Sequence, residues 1–217
     1  MPEIDLSTIA LCNVEDVKRN MDALQISSQR DPVITQYINL FSAGIQGGRY
    51  CNRELEYGAK TEFYDGSKND PSRTNRKLVR VSAPPIVSTL TLDVYDDPDF
   101  VFPSTTLLTL WEDYTVNYAA GLVTKVTGTF GSGYHSIKMA YTGGLVYYDA
   151  GSEGYTTNPP DDLRNACAMQ VAHWFRNRQD QGAESIMFPG GQGAATFFEP
   201  TQLLPMVYAV VMNNRVF

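Results

Sequence analysis

Apolar residues change their spacing twice along this chain, from a helical period to alternation and back, and that double switch restricts the fold more than any single motif. Over residues 14–24, Val14, Val17, Met21 and Leu24 recur at three and four positions and share one helix face, with Asn13 placed to cap its start. Asp31 is a candidate N-cap and Pro32 stands at the first position of a second helix, in which Ile34, Tyr37, Ile38, Phe41 and Ile45 continue an apolar stripe. Helices this short must bury such stripes against another element.

From about Tyr57 the pattern is extended. Thr61-Glu62-Phe63-Tyr64 runs into Asp65-Gly66, a turn dipeptide, and a polar stretch follows at 67–75. Residues 78–81 alternate, and after Pro84-Pro85 so do residues 86–95; further strand-like runs stand at 107–111, 114–118, 123–130 and 134–141. Short strands between Gly and Asp turns predict a small antiparallel sandwich or barrel that ends near Gly143-Gly144.

A polar, Gly- and Pro-rich connector at 149–160 leads to the clearest helix. Asp161 and Asp162 stand at the positive end of its dipole, Leu163, Ala166, Cys167, Met169, Gln170, Val171, Trp174 and Phe175 mark it, and it is expected to end by Gly182, after Arg176 and Arg178. Residues 185–201 read as a loop, and a last helix is expected over 203–214 with Leu204, Val207, Tyr208 and Val211 as its apolar positions. The expected class is α+β: a helical body of residues 1–56 and 150–217, with two N-terminal helices, a long helix and a C-terminal helix, and a β insertion at 57–149.

Charge and composition narrow the function. The formal charge of −7 argues against a protein that grips nucleic acid, which needs clustered Lys and Arg to neutralise phosphates. The three cysteines, Cys12, Cys51 and Cys167, are odd in number, far apart in sequence and without CxxC spacing, so buried free thiols are expected rather than a disulfide framework or a zinc site. The first residues lack a basic region followed by an apolar run, and the longest apolar stretch, 203–212, is interrupted by Pro205 and falls short of the roughly 20 residues a membrane span requires. A soluble protein with no membrane partner is expected.

Catalytic signals are weak. His135 and His173 are the only histidines, too few for a histidine-rich metal site, and neither HExxH nor GxSxG occurs. The glycine clusters at 128–133 and 190–193 do not continue into Lys-Ser or Lys-Thr, and so read as turns rather than phosphate cradles. Glu54 with Glu56, or Asp96 with Asp99, could supply the carboxylate pair of a glycosidase, but solvated acidic loops carry the same residues. No catalytic residue, cofactor or metal is therefore expected. A binding module is the stronger alternative: a tail-associated β unit gripping carbohydrate or protein through Trp111, Tyr114 and Tyr118.

The order of the motifs resembles the head-tail connector, or adaptor, proteins of tailed phages and gene transfer agents. Asn13-Val14-Glu15-Asp16-Val17-Lys18 precedes a second helix; Asn52-Arg53 and Thr61-Glu62-Phe63-Tyr64-Asp65-Gly66 follow. Lys77-Leu78-Val79-Arg80-Val81 with Pro84-Pro85-Ile86-Val87 is similar to the family's strand, proline and strand passage, and Tyr141-Thr142-Gly143-Gly144 to its sheet-closing Tyr-x-Gly. Pro159-Pro160-Asp161-Asp162-Leu163 through Arg178 resembles the helix that follows.

The resemblance implies a structural virion protein of the neck, assembled in the host cytoplasm, that forms a ring of about a dozen subunits beneath the portal and joins it to a downstream tail or stopper protein. On that reading Arg215, Val216 and Phe217 dock on the portal, while Asp161 and Asp162 line a channel through which genomic DNA passes without specific binding. Tyr37, Phe41, Trp174 and Phe175 are the expected subunit-interface residues, since their stripes exceed what short helices cover alone. The glycine-rich stretch 188–195 and the large middle insertion depart from the family pattern.

Overall fold

A computed structural model describes residues 4–21, 27–66, 77–131, 133–177, 185–187, 194–196 and 203–216. Among them are four helices and only antiparallel sheets, an α+β architecture. The chain divides into two compact units, Met1–Asn52 with Val146–Arg215, and Arg53–Leu145.

In the first unit, α1 (Val14–Asn20), α2 (Asp31–Gly44) and α4 (Pro205–Asn213) pack on α3 (Asp161–Arg176). Helix α1 begins in a capping box: Asn13 Oδ1 accepts from Asp16 N at 2.9 Å and Asp16 Oδ2 accepts from Asn13 N at 3.1 Å. The predicted cap is therefore real, and Val17 and Met21 are buried as their spacing requires; Leu24 lies outside the described residues. In α2 the buried positions Ile34, Ile38 and Phe41 follow the predicted stripe, but the helix begins at Asp31 itself, after an Arg30 that makes no side-chain cap bond, so Asp31 is not the N-cap. Helix α3 stops at Arg176, inside the expected limit of Gly182, where Asn177 N bonds back to the His173 carbonyl.

Two corrections concern this unit. The connector at 149–160 contains half a hairpin, since β7 (Tyr147–Asp149) pairs with β8 (Gly154–Thr157) around a turn whose Gly151 N bonds to Asp149 Oδ1 at 3.0 Å. Residues 185–201 were expected as loop, yet β9 (Ser185–Met187) pairs with β10 (Ala194–Thr196). Strands of three or four residues are too short for alternation to register in the sequence.

The second unit holds two three-stranded sheets. Strands β1 (Gly58–Tyr64), β6 (Ile137–Gly143) and β3 (Asp93–Asp96) lie in the order β1-β6-β3, and β2 (Leu78–Arg80), β5 (Leu122–Lys125) and β4 (Tyr114–Asn117) in the order β2-β5-β4. Both contribute to one core, with Val79 and Val123 from one sheet and Val94, Ile137 and Met139 from the other, closed by Phe130. The predicted strand 86–95 is regular only from Asp93, because the chain turns first, Leu90 N bonding to the Val87 carbonyl at 3.2 Å. The run 107–111 forms only single bridges, and Trp111 at φ 72° breaks the extended path. The run 123–130 leaves the sheet after Lys125.

Strand β1 turns its polar side chains toward the less exposed face: Lys60, Glu62 and Tyr64 are half-buried while Phe63 is exposed. A carboxylate out of water is costly unless hydrogen bonds replace its solvent. Glu62 has them, from the hydroxyls of Tyr64, Ser82 and Tyr141 and from Ser82 N, the Tyr141 bond at 2.6 Å and the Ser82 N bond at 3.2 Å. Burial, and then the bond to Glu62, push the Tyr141 phenol above its ordinary range. Three separate sequence motifs thus meet at one carboxylate.

Candidate interaction surface

The outer face of the β1-β6-β3 sheet is unusually aromatic. Register places Phe63 opposite Lys138, and Lys138 opposite Tyr95, so the three form a row across the sheet. Lys138 Nζ lies 5.0 Å from the Tyr95 ring centre and 5.7 Å from that of Phe102, so its charge is spent on the rings. Two loops extend this face. One brings Phe100, Val101 and Phe102 after β3; the other brings Tyr134 and His135 before β6. Phe63 and Phe102 are 5.7 Å apart, Phe63 and His135 6.1 Å, and Tyr134 stacks on His135 at 3.9 Å. Phe63, Phe100, Phe102, Tyr134 and His135 line a hollow of about 400 Å³.

Most of this apolar surface is open: Phe63 is 46% exposed, Phe100 48%, Tyr134 67% and Val101 74%. Three of its residues, Phe100, Phe102 and His135, have φ of 61°, 52° and 55°, in the left-handed region that side chains this bulky avoid. What holds the first loop there is Asp97, buried beneath it. One carboxylate oxygen accepts from Asp99 N at 2.9 Å, the other from Val101 N at 3.1 Å and Phe102 N at 2.7 Å. These amides, Asp99 first, keep the Asp97 carboxyl below its usual range.

The second loop is tied back at Asp65-Gly66, the predicted turn. Asp65 accepts from His135 N at 2.8 Å, and Gly66 N donates to the Gly133 carbonyl at 2.9 Å. A Cβ on Gly66 would fall 1.6 Å from the Gly131 carbonyl oxygen, so only glycine admits this approach.

A second, chemically different concavity lies on the helical unit. Ile4, Asp5, Val14, Asp31, Tyr148 and Glu153 line part of a groove of about 440 Å³. Lys18 reaches its Asp31 at 3.0 Å.

The residues singled out in the sequence fall in varied places. Phe41, Trp174 and Phe175 are buried in their own unit, at 2%, 9% and 6% exposure, with Trp174 packed edge-on at 6.1 Å from Phe41 and 6.2 Å from Tyr37. Of these four side chains only Tyr37, half-buried, leaves much surface open. Asp161 and Asp162 are exposed in the first turn of α3, and Asp162 accepts from Asn214 at 2.8 Å. The Arg215 guanidinium donates to the Gly48 carbonyl at 2.9 Å; Val216 is half-buried, and Phe217 lies outside the described residues.

Of the binding-module residues, Trp111 is 66% exposed but Tyr114 is core at 2%, its hydroxyl spent on the Leu92 carbonyl and its pKa pushed up to about 12, chiefly by burial. The aromatic face itself was missed, because its members come from three separated stretches. A run of Asp-Pro-Asp-Phe-Val-Phe, with three apolar residues of which two are aromatic inside a turn sequence, was the available signal.

Possible catalytic acids are engaged in ion pairs: Glu54 and Glu56 face Lys60 at 2.9 and 3.9 Å, and Asp96 pairs with Lys125 and accepts from Gly131 N. Among the described residues no three His, Cys, Asp or Glu side chains gather where they could hold a metal ion, and no helix is long and apolar enough to cross a membrane.

No family model and no curated protein sequence matches the chain. Among solved structures, it is similar over 100% of its length to 96% of a chain in the neck of an empty gene transfer agent (GTA) particle, computed with C6 symmetry, at 14% identity and a TM-score of 0.52. A chain from the neck of the native GTA particle, computed with C12 symmetry, matches over the same shares at 14% identity and a TM-score of 0.48. From end to end, then, this chain shares its fold with a chain from a gene transfer agent neck, the kind of particle to which its ordered motifs also pointed.

Proposed function

We propose that this protein is a structural subunit of the neck of a phage-like particle: an adaptor that forms a ring beneath the portal, joins head to tail components and extends the DNA channel. The supporting observation is the whole-chain likeness of fold to a neck protein, in a molecule whose motif order independently resembles head-tail connectors. A closed ring is built from heterologous contacts, so each subunit must offer two unlike faces to its neighbours. The aromatic face of the β unit and the acidic groove of the helical unit are unlike in this way, and an apolar patch of this kind is characteristic of an interaction site.

The finer assignments follow from the same reading. The ring has about a dozen copies. The terminal Arg215, Val216 and Phe217 dock on the portal, the two sheets of the β unit face one another as a small sandwich, and Tyr37 supplies what the helical stripe still offers a neighbour. Asp161 and Asp162 line the channel, where negative charge keeps DNA sliding rather than captured. The alternative, a tail-associated module binding carbohydrate or protein through Trp111, Tyr114 and Tyr118, is less well supported, because Tyr114 is core and its hydroxyl is committed to the Leu92 carbonyl.

Mass measurement and negative-stain imaging of the purified protein, alone and with portal, test the reading. Rings seated on portal are expected, and a chain ending at residue 212 should fold yet fail to seat. A protein that ignores portal and stays monomeric in the mixture refutes the adaptor role.

A further inference from the structure

Cys12 stands immediately before the cap of α1, and Cys167 lies in the middle of α3, 155 positions further along. Between the same two segments runs a bidentate ion pair: Arg164 Nε and Nη2 donate to the two Asp16 oxygens at 2.8 and 2.9 Å. Asp16 is one helical turn after Cys12 and Arg164 one turn before Cys167, so the ion pair fixes the register that brings the sulfurs together. Their Sγ atoms are 3.1 Å apart and both residues are fully buried. A disulfide spans about 2.05 Å, so closure requires an approach of only about 1 Å.

We propose that Cys12 and Cys167 form an oxidation site, which closes to an intrachain disulfide in an oxidising medium and ties the segment before α1 to α3. The oxidant is an external disulfide, RSSR. One cysteine sulfur, having lost its proton, attacks RSSR and expels a thiolate; the second, likewise deprotonated, attacks the mixed disulfide and expels the other. The cysteine pair loses two electrons, RSSR gains them, and the two protons end on two RSH.

Burial sets the rate. It raises the Cys12 thiol well above its ordinary range, the neighbouring Cys167 adds to this, and the nearby Arg164 cation is already committed to Asp16. Exchange therefore waits on local opening of the segment before α1. The third cysteine is placed differently, its Sγ donating to the Val211 carbonyl at 3.6 Å. If the neck assignment holds, subunits assembled in a reducing cytoplasm acquire this tie after release; the chemistry itself needs only one chain, so its test stands apart from ring formation.

Purified protein is incubated at neutral pH with oxidised glutathione, with and without urea below the unfolding transition, then denatured, alkylated and mapped by mass spectrometry. Free thiols should fall from three to one, with a peptide linking Cys12 to Cys167, faster in urea. The melting temperature should rise by about 5–10 °C and return on reduction. Cys51→Ser should still form the link, and Cys12→Ser should keep both remaining thiols free. Three thiols persisting in urea, a link through Cys51, or a glutathione adduct that never resolves would each overturn the proposal.

Discussion

Single residues carry two junctions of this molecule. Asp16 completes the capping box of α1 and holds Arg164 from another helix, so Asp16→Ala removes the bond from Asn13 N and strands a partly buried guanidinium; we expect a loss of roughly 2–4 kcal/mol, read by urea denaturation. The half-buried Glu62 depends on hydroxyls from elsewhere in the chain. Tyr141→Phe deletes the donor at 2.6 Å and also the acceptor for Ala83 N at 3.2 Å, at an expected cost of about 1–3 kcal/mol with the fold retained. Undiminished stability in that variant would show that the Glu62 cluster is incidental. The asparagine cap could be read from the sequence because its partner is three residues away. The Glu62 cluster could not, since Tyr141 and Ser82 are remote.

At the scale of elements, the loop after β3 is a device for display. Asp97 is ionised at neutral pH, and its three amide bonds depress its pKa; they are therefore intact above the ordinary carboxylate range and are lost as pH falls through the lowered value. Amide chemical shifts of Asp99, Val101 and Phe102 should accordingly move together on acidification, below the pH at which exposed carboxylates titrate. Should those amides stay fixed while the carboxyl titrates, Asp97 is not what shapes the loop.

The helices illustrate what a sequence reader can recover. Their stripes recur within a turn or two, and α2 and α3 bury most of the positions predicted, with Tyr37 and Met169 half-buried. Strands of three residues, such as β2 and β9, give the periodicity too little length, and the regular-looking run 86–92 is bent by turns that alternation does not reveal.

For the whole molecule, the question is which surface meets a neighbour. Substituting Phe100 and Phe102 by serine leaves Asp97 and the core untouched, so the protein should stay folded, and under the proposed adaptor role ring assembly should weaken about tenfold or more, measured as the concentration needed to form rings on portal. Unchanged assembly would move the interface elsewhere, for instance to the acidic groove.

Local order and the double change of apolar period set the α+β class, the helix starts and the resemblance to head-tail connectors, because each rests on residues near one another in the chain. Pairing across long separations settled the rest. The meeting of Cys12 with Cys167, the burial of Trp174 within its own unit and the joining of Phe63, Phe102 and His135 into one face arise only when distant segments pack. Which apolar side chains are left outside is a property of that packing, and no periodicity in the chain encodes it.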